Sequence, residues 1–210
     1  GVPADVRAGA YANRVAILGG GAQSRSQLRG VWGVRVMAGV YFVYLTRHTA
    51  RWLAVDIAAG PEAPVVPRAA EGPTAVKRAD LDLAATTSRS PLFDGCDLRP
   101  GSHVTGVGAF TPDMREIDAA TIGRARVIVD SREACLAEAG DIIAALAELP
   151  AEAEIEAEIG EIVNGSRPGR QNDEEITFFK SVGIAAQDAA AAGAVLAAAE
   201  ERGLGRLVKL

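Results

Sequence analysis

Three consecutive glycines follow an apolar run in Val15-Ala16-Ile17-Leu18-Gly19-Gly20-Gly21-Ala22-Gln23-Ser24. That order suits a buried parallel strand, a tight turn and a helix start, and the N–H groups of a helix N-terminus hold a pyrophosphate. Gly19 can make the turn, Gly21 lets the main chain approach the phosphates, and Ala22 and Gln23 open the helix. Ser24 stands where a dinucleotide fingerprint has its third glycine. An ordinary strand-to-helix turn is the alternative reading of these residues taken alone. A second group lies at Tyr44-Leu45-Thr46-Arg47-His48-Thr49, the end of a second apolar segment. In dinucleotide-binding folds a carboxylate at that place accepts from a ribose 2′-hydroxyl, whereas an arginine accommodates a 2′-phosphate. No carboxylate is present there. Arg47 can pair with the phosphate and stack on adenine, with Thr46 and His48 adding hydrogen bonds. This favours NADP(H), with NAD(H) as the alternative. A solvated loop arginine is the plain structural reading.

Alternating elements must position these residues. The pattern predicts strands at Val15–Leu18, Val40–Leu45, around Val65, and at Leu81–Ala85, Ser102–Val107, Arg126–Val129 and Ile176–Phe179. It predicts helices at Ala22–Val34, Thr49–Ala59, Asp118–Gly123, Ser131–Ala139, Glu152–Val163 and Gly183–Arg202. Ser131 is placed to cap its helix, and the acidic run from Glu152 to Glu161 reads as a solvated helix face. Trp32 and Trp52 read as packing residues on sheet-covering helices. Alternation of this kind implies an α/β fold, a mostly parallel sheet with helices on both faces. The alanine-rich final helix offers a small-residue surface suited to close packing.

The bulk composition narrows the function classes. A net charge of -5 without a lysine/arginine cluster argues against nucleic acid. No apolar run reaches the roughly 20 residues of a membrane span. Cys96 and Cys135 are far apart and fit a reduced, cytoplasmic setting. Two lone histidines make no metal site; His103, inside a predicted strand, reads as a core hydrogen-bonding residue.

Several further segments occur in order: Ala85-Thr86-Thr87-Ser88-Arg89-Ser90-Pro91, Pro100-Gly101-Ser102-His103-Val104, Val107-Gly108-Ala109-Phe110-Thr111-Pro112-Asp113-Met114-Arg115-Glu116-Ile117-Asp118, Val129-Asp130-Ser131-Arg132-Glu133, Glu138-Ala139-Gly140-Asp141 and Thr177-Phe178-Phe179-Lys180-Ser181-Val182-Gly183. With the glycine turn they make the chain resemble the ornithine cyclodeaminase/mu-crystallin family, from about Arg14 to Gly205. The resemblance implies a Rossmann-like, doubly wound dinucleotide-binding domain over residues 14–175. Residues 176–210 would be a C-terminal strand and helical extension completing a substrate and dimer lobe. The family's preceding lobe, with its substrate-carboxylate grip, has no room here, so residues 1–13 would be its remnant or a linker. Family members deaminate and cyclise ornithine, reduce cyclic imines such as pyrroline-2-carboxylate, dehydrogenate alanine or bind thyroid hormone.

The resemblance also assigns places. Thr86, Thr87 and Ser88 would lie by the nicotinamide half of the cofactor, Val107 and Gly108 beneath the ring, and Lys180, Ser181 and Val182 on its carboxamide side. A Ser/Thr turn, a buried strand end and a helix cap are the structural alternatives. Deaminating members are expected to have aspartate where this chain has Phe110, which cannot accept a proton. Asp113 is expected in a turn rather than as a base, and Arg115-Glu116 as an ion pair or surface pair. The implied function is NADPH-dependent reduction of cyclic ketimines. The alternatives are a cofactor-binding remnant without catalysis and an ornithine cyclodeaminase. A cyclic imine or amino acid is the implied partner, and a homo-oligomer remains open.

Overall fold

The computed structural model describes residues 12–43, 68–69, 72–206 and 208. In chain order the elements are β1 (Arg14–Leu18), α1 (Ala22–Trp32), β2 (Gly39–Val43), β3 (Arg68–Ala69), α2 (Gly72–Val76), β4 (Leu81–Ala84), β5 (His103–Gly106), α3 (Ala119–Arg124), β6 (Ala125–Val129), α4 (Arg132–Glu138), α5 (Gly140–Glu148), β7 (Ile155–Glu158), α6 (Ile159–Val163), β8 (Ile176–Lys180) and α7 (Ala185–Glu201). The strands form one sheet in the order β3-β2-β1-β4-β5-β8-β6-β7. Every pairing is parallel.

The central strands β4, β5 and β8 are buried along their whole length, as sheet strands covered on both faces must be. On one face Val15, Ile17, Leu81 and Leu83 pack with Leu28 and Val31 of α1 and with Val40 and Phe42. On the other, Ala16 meets Ala75 of α2. There Val104, Val127 and Phe178 join Ile122 of α3, Cys135 of α4 and Ile142 of α5. Layers of helix, sheet and helix result, the doubly wound architecture expected. The strand order reverses between β1 and β4. In open α/β sheets ligands bind outside the carboxyl ends of the strands at such a switch point.

Several elements differ from expectation. The run predicted as a helix from Glu152 divides into β7 and α6. Ile155 and Ala157 point into the core while Glu156 and Glu158 are half-buried, a period of two that the glutamates disguised. Helix α5 was not predicted. It has no side-chain N-cap hydrogen bond, and its first residue is glycine, so the usual start signals are absent. Gly140 is there for space: a Cβ would collide with the Met114 carbonyl. Strand β8, assigned in sequence to the same unit as the last helix, is inserted between β5 and β6. Helix α7 has no buried residue. The helix predicted over Thr49–Ala59, Trp52 and the strand around Val65 lie outside the described residues.

Candidate dinucleotide site

The carboxyl ends of β1, β4, β5 and β8 are tied into one rim. Gly19 N donates to Val43 O at 3.0 Å, Ala85 N to Leu18 O at 3.1 Å, Val107 N to Ala84 O at 2.9 Å and Ser181 N to Gly106 O at 3.1 Å. Above this rim opens a cavity of about 1040 Å³. Gly19, Gly21, Gln23, Thr86, Thr87, Ser88, Val107, Gly108, Phe110 and Ser181 are all on its wall. These are most of the residues expected at a cofactor site, brought together from four strand ends. Ala22 is exposed at the start of α1 and is not on the wall. Thr46, Arg47 and His48 lie outside the described residues.

Local chemistry explains the rim. Gly19 has φ +115, and a Cβ on it would sit 2.8 Å from Ala85 O. Both the backbone angle and the closeness of the β4 loop therefore require glycine. Gly21 differs: nothing lies within 4 Å of the place its Cβ would occupy. It has extended backbone and is the N-cap of α1, with no side-chain cap hydrogen bond. Uncapped first-turn amides facing an open approach form an anion cradle. The residues present thus fit a dinucleotide diphosphate. In the next loop Thr86 Oγ1 accepts from Ser88 N at 3.1 Å, and Ser88 Oγ donates to Ser90 O at 2.7 Å.

Behind the wall lie carboxylates that the sequence did not single out as organisers. Asp130 is buried at the end of β6. Its Oδ2 accepts from Ser181 Oγ at 2.7 Å, Val182 N at 3.0 Å and Gly183 N at 2.7 Å. Its Oδ1 accepts from Ser131 N at 2.8 Å and Cys135 Sγ at 3.4 Å. Burial, then the Asp130 charge, pushes the Cys135 thiol up to about 12. Ser131 caps α4 as expected, its Oγ accepting from Ala134 N.

Lys180, expected to contact the cofactor, is fully buried and is not on the cavity wall. Its Nζ donates to Gly108 O and, at 3.0 Å, to Asp141 Oδ2. Asp141 Oδ1 accepts from Glu116 N at 2.7 Å and Ile117 N at 3.0 Å. Glu116 Oε1 accepts from Thr86 N, and among the described residues Glu116 Oε2 has no hydrogen-bond partner of good geometry. Burial pushes the Glu116 carboxyl above its ordinary range, with the Thr86 side chain, the Thr86 N–H and Lys180 pulling the other way. Arg115 and Glu116 are therefore no pair, because Arg115 binds Glu148 at 2.6 Å across the surface. Asp113 is exposed, accepting from Thr111 Oγ1 at 2.6 Å and pairing with Arg89 at 2.9 Å. His103 bonds Thr177 Oγ1 at 2.8 Å and Thr105 Oγ1 at 3.1 Å within the core. Ala109 adopts φ 49, unusual for a residue with a Cβ, and the next residue, Phe110, emerges 46% exposed on the cavity wall. Gln27, Gln187 and Asp188 also line the cavity. Helical spacing from Gln23 points to Gln27, but no sequence signal brings the start of α7 to the site.

The model of the ornithine cyclodeaminase/mu-crystallin family matches residues 1–203. The chain belongs to this family. It is 36% identical over 202 residues to a Delta(1)-pyrroline-2-carboxylate reductase of Bacillus cereus, covering 94% of this chain and 61% of that protein. It is 42% identical over 118 residues to the ketimine reductase mu-crystallin of Macropus fuliginosus, covering 56% of this chain and 35% of that one. A solved Delta(1)-pyrroline-2-carboxylate reductase of Thermococcus litoralis, in complex with NADH and L-proline, matches with a TM-score of 0.93 at 34% identity. That match covers 99% of this chain and 64% of the other. This member of the ornithine cyclodeaminase/mu-crystallin family thus spans less than two thirds of the length of either reductase. Among its described residues no group of three or more His, Cys, Asp or Glu is placed to hold a metal. No helix among them is long and apolar enough to cross a membrane.

Proposed function

We propose that this chain forms the nicotinamide-dinucleotide site of an imine reductase acting on cyclic ketimines such as pyrroline-2-carboxylate. The cavity at the switch point carries this reading, with an uncapped glycine turn on one side and Phe110 on its wall. The two curated relatives described above, a pyrroline-2-carboxylate reductase and a ketimine reductase, support this reaction class. The α1 amides and Gly21 would hold the diphosphate, and the loops at Thr86–Ser88 and Val107–Gly108 would receive the nicotinamide half. A bound dihydronicotinamide supplies the hydride. The protein's own task is to orient the ring, keep out water and place the C=N carbon against it. Phe110 serves that task by presenting an apolar face. It has no group to take up the protons that deamination of ornithine would require.

NADP(H) is the preferred form in this reading, through a 2′-phosphate on Arg47. A charge-assisted hydrogen bond contributes about 1.5–3 kcal/mol, roughly 10- to 150-fold in affinity. Arg47→Ala is expected to weaken NADPH binding more than NADH binding and so remove the advantage of NADPH; equal loss of both would contradict the assignment. The test of the reaction is oxidation of NADPH or NADH with pyrroline-2-carboxylate or piperideine-2-carboxylate. Turnover supports the reading. Tight dinucleotide binding without turnover supports a cofactor-binding chain instead. Ammonia release from ornithine would overturn the role given to Phe110.

A further inference from the structure

Glu116 occupies an unusual place. Its carboxyl is fully buried and directly behind Gly108, a residue of the cavity wall. A Cβ on Gly108 would collide with Glu116 Oε2 and Thr86 O, so no side chain can stand between the carboxyl and the rim there. One oxygen accepts from Thr86 N; the other has no hydrogen-bond partner of good geometry among the described residues. Among the described residues, the charged groups facing Glu116 are Lys180 from β8 and Asp141 from α5. Lys180 and Asp141 are paired at 3.0 Å. One lysine cannot neutralise two carboxylates. The cluster therefore carries no net charge when Glu116 holds a proton and one negative charge when it does not.

We propose that Glu116 sets the preference of the site between oxidised and reduced cofactor, acting through the glycine gap on the charge of the nicotinamide ring. The proposal rests on the reading that this ring lies over the end of β5. The oxidised ring is a cation and the reduced ring is neutral. An ionised carboxylate behind Gly108 favours the cation, and a protonated one does not discriminate. Reciprocally, the oxidised ring lowers the proton affinity of Glu116, so oxidised cofactor releases protons on binding that reduced cofactor does not. Burial holds the carboxyl above its ordinary range, so the exchange falls above the pH at which a solvated carboxyl titrates. Glu116 is thus a positioning and tuning residue that touches the reaction through Gly108 and Thr86.

The test is titration of the chain with the oxidised and reduced forms of one dinucleotide from about pH 4.5, the ordinary carboxylate range, up to about pH 9, in calorimetry buffers of different ionisation enthalpy. The ratio of the oxidised to the reduced Kd is expected to fall about three- to tenfold as pH rises, one pKa unit of coupling being tenfold. Oxidised cofactor is expected to release more protons than reduced cofactor. Glu116→Gln is expected to flatten the ratio while keeping an acceptor for Thr86 N. A merely structural role would change both constants together and leave the ratio's slope intact; that outcome overturns the proposal. Should Glu116→Gln fail to fold, the wild-type proton count decides alone, and equal release by both forms overturns it. Binding of neither form overturns the cofactor reading and this inference with it.

Discussion

At Asp130 one carboxylate gathers five donors from two segments far apart in sequence, and three of them belong to the rim residues Ser181, Val182 and Gly183. A buried donor left without its acceptor costs about 1–3 kcal/mol, so Asp130→Ala is expected to cost about 2–4 kcal/mol. Urea unfolding measures the loss, and a dinucleotide titration should show weaker binding although no cavity-lining atom is removed. An effect under about 0.5 kcal/mol would contradict the anchoring role. The sequence showed Asp130 as the start of a helix, correctly for Ser131, but its service to residues some fifty positions later is a product of strand order. Gly19 was readable because both its position and its chemistry are local. Its φ of +115 and its contact with Ala85 lead us to expect that Gly19→Ala destabilises by about 1–3 kcal/mol, measurable as a lowered denaturation midpoint.

Among the elements, the strands that carry the site were read within a residue or two: β1 is a short continuous apolar run, as a fully buried parallel strand is, and β4, β5 and β8 are short β-rich runs that carry buried polar residues such as Asp82, His103 and Lys180. The errors arose where composition and packing disagree. Strand β7 is glutamate-rich, and its two inward residues, Ile155 and Ala157, are too few to outweigh that composition. Helix α5 starts at a glycine chosen for close approach to Met114, not for helix propensity. Yet α5 matters to the site, since Asp141 in its first turn holds Lys180 and the backbone at Glu116 and Ile117. Lys180→Met breaks a pair in which both side chains are fully buried. Removing one partner of such a pair costs about 3–5 kcal/mol. The variant is expected to lose that much in chemical denaturation and to bind dinucleotide more weakly, because Gly108 O loses its donor. Unchanged stability would show that the pair is dispensable.

For the molecule as a whole, Asp82 makes a pH dependence. It lies in β4 with no exposure and, among the described residues, no hydrogen-bond partner for either oxygen. Burial holds its carboxyl well above the usual range; Arg99 pulls it down and Asp80 pushes it up. The folded value is therefore raised over the unfolded one. The stability contributed by the neutral form is complete below the unfolded value, near about 3.9, and is lost as pH rises through the folded value. Asp82→Asn is expected to match the parent in acid and exceed it increasingly toward alkaline pH, read from urea midpoints across pH. Parallel curves would contradict a buried neutral carboxyl.

The central claim belongs to this scale too, because the proposed dinucleotide cradle sits where the strand order reverses, between β1 and β4. Gly21→Val tests it most directly. A Cβ there meets no described atom within 4 Å, so the fold should persist, losing at most about 1 kcal/mol through the weaker N-cap preference of valine. Titration with NADPH and NADH should show binding by the parent chain and a loss of at least about tenfold in the variant, the side chain now occupying the approach to the α1 amides. Undiminished dinucleotide binding by Gly21→Val, or none by the parent chain, would contradict the account.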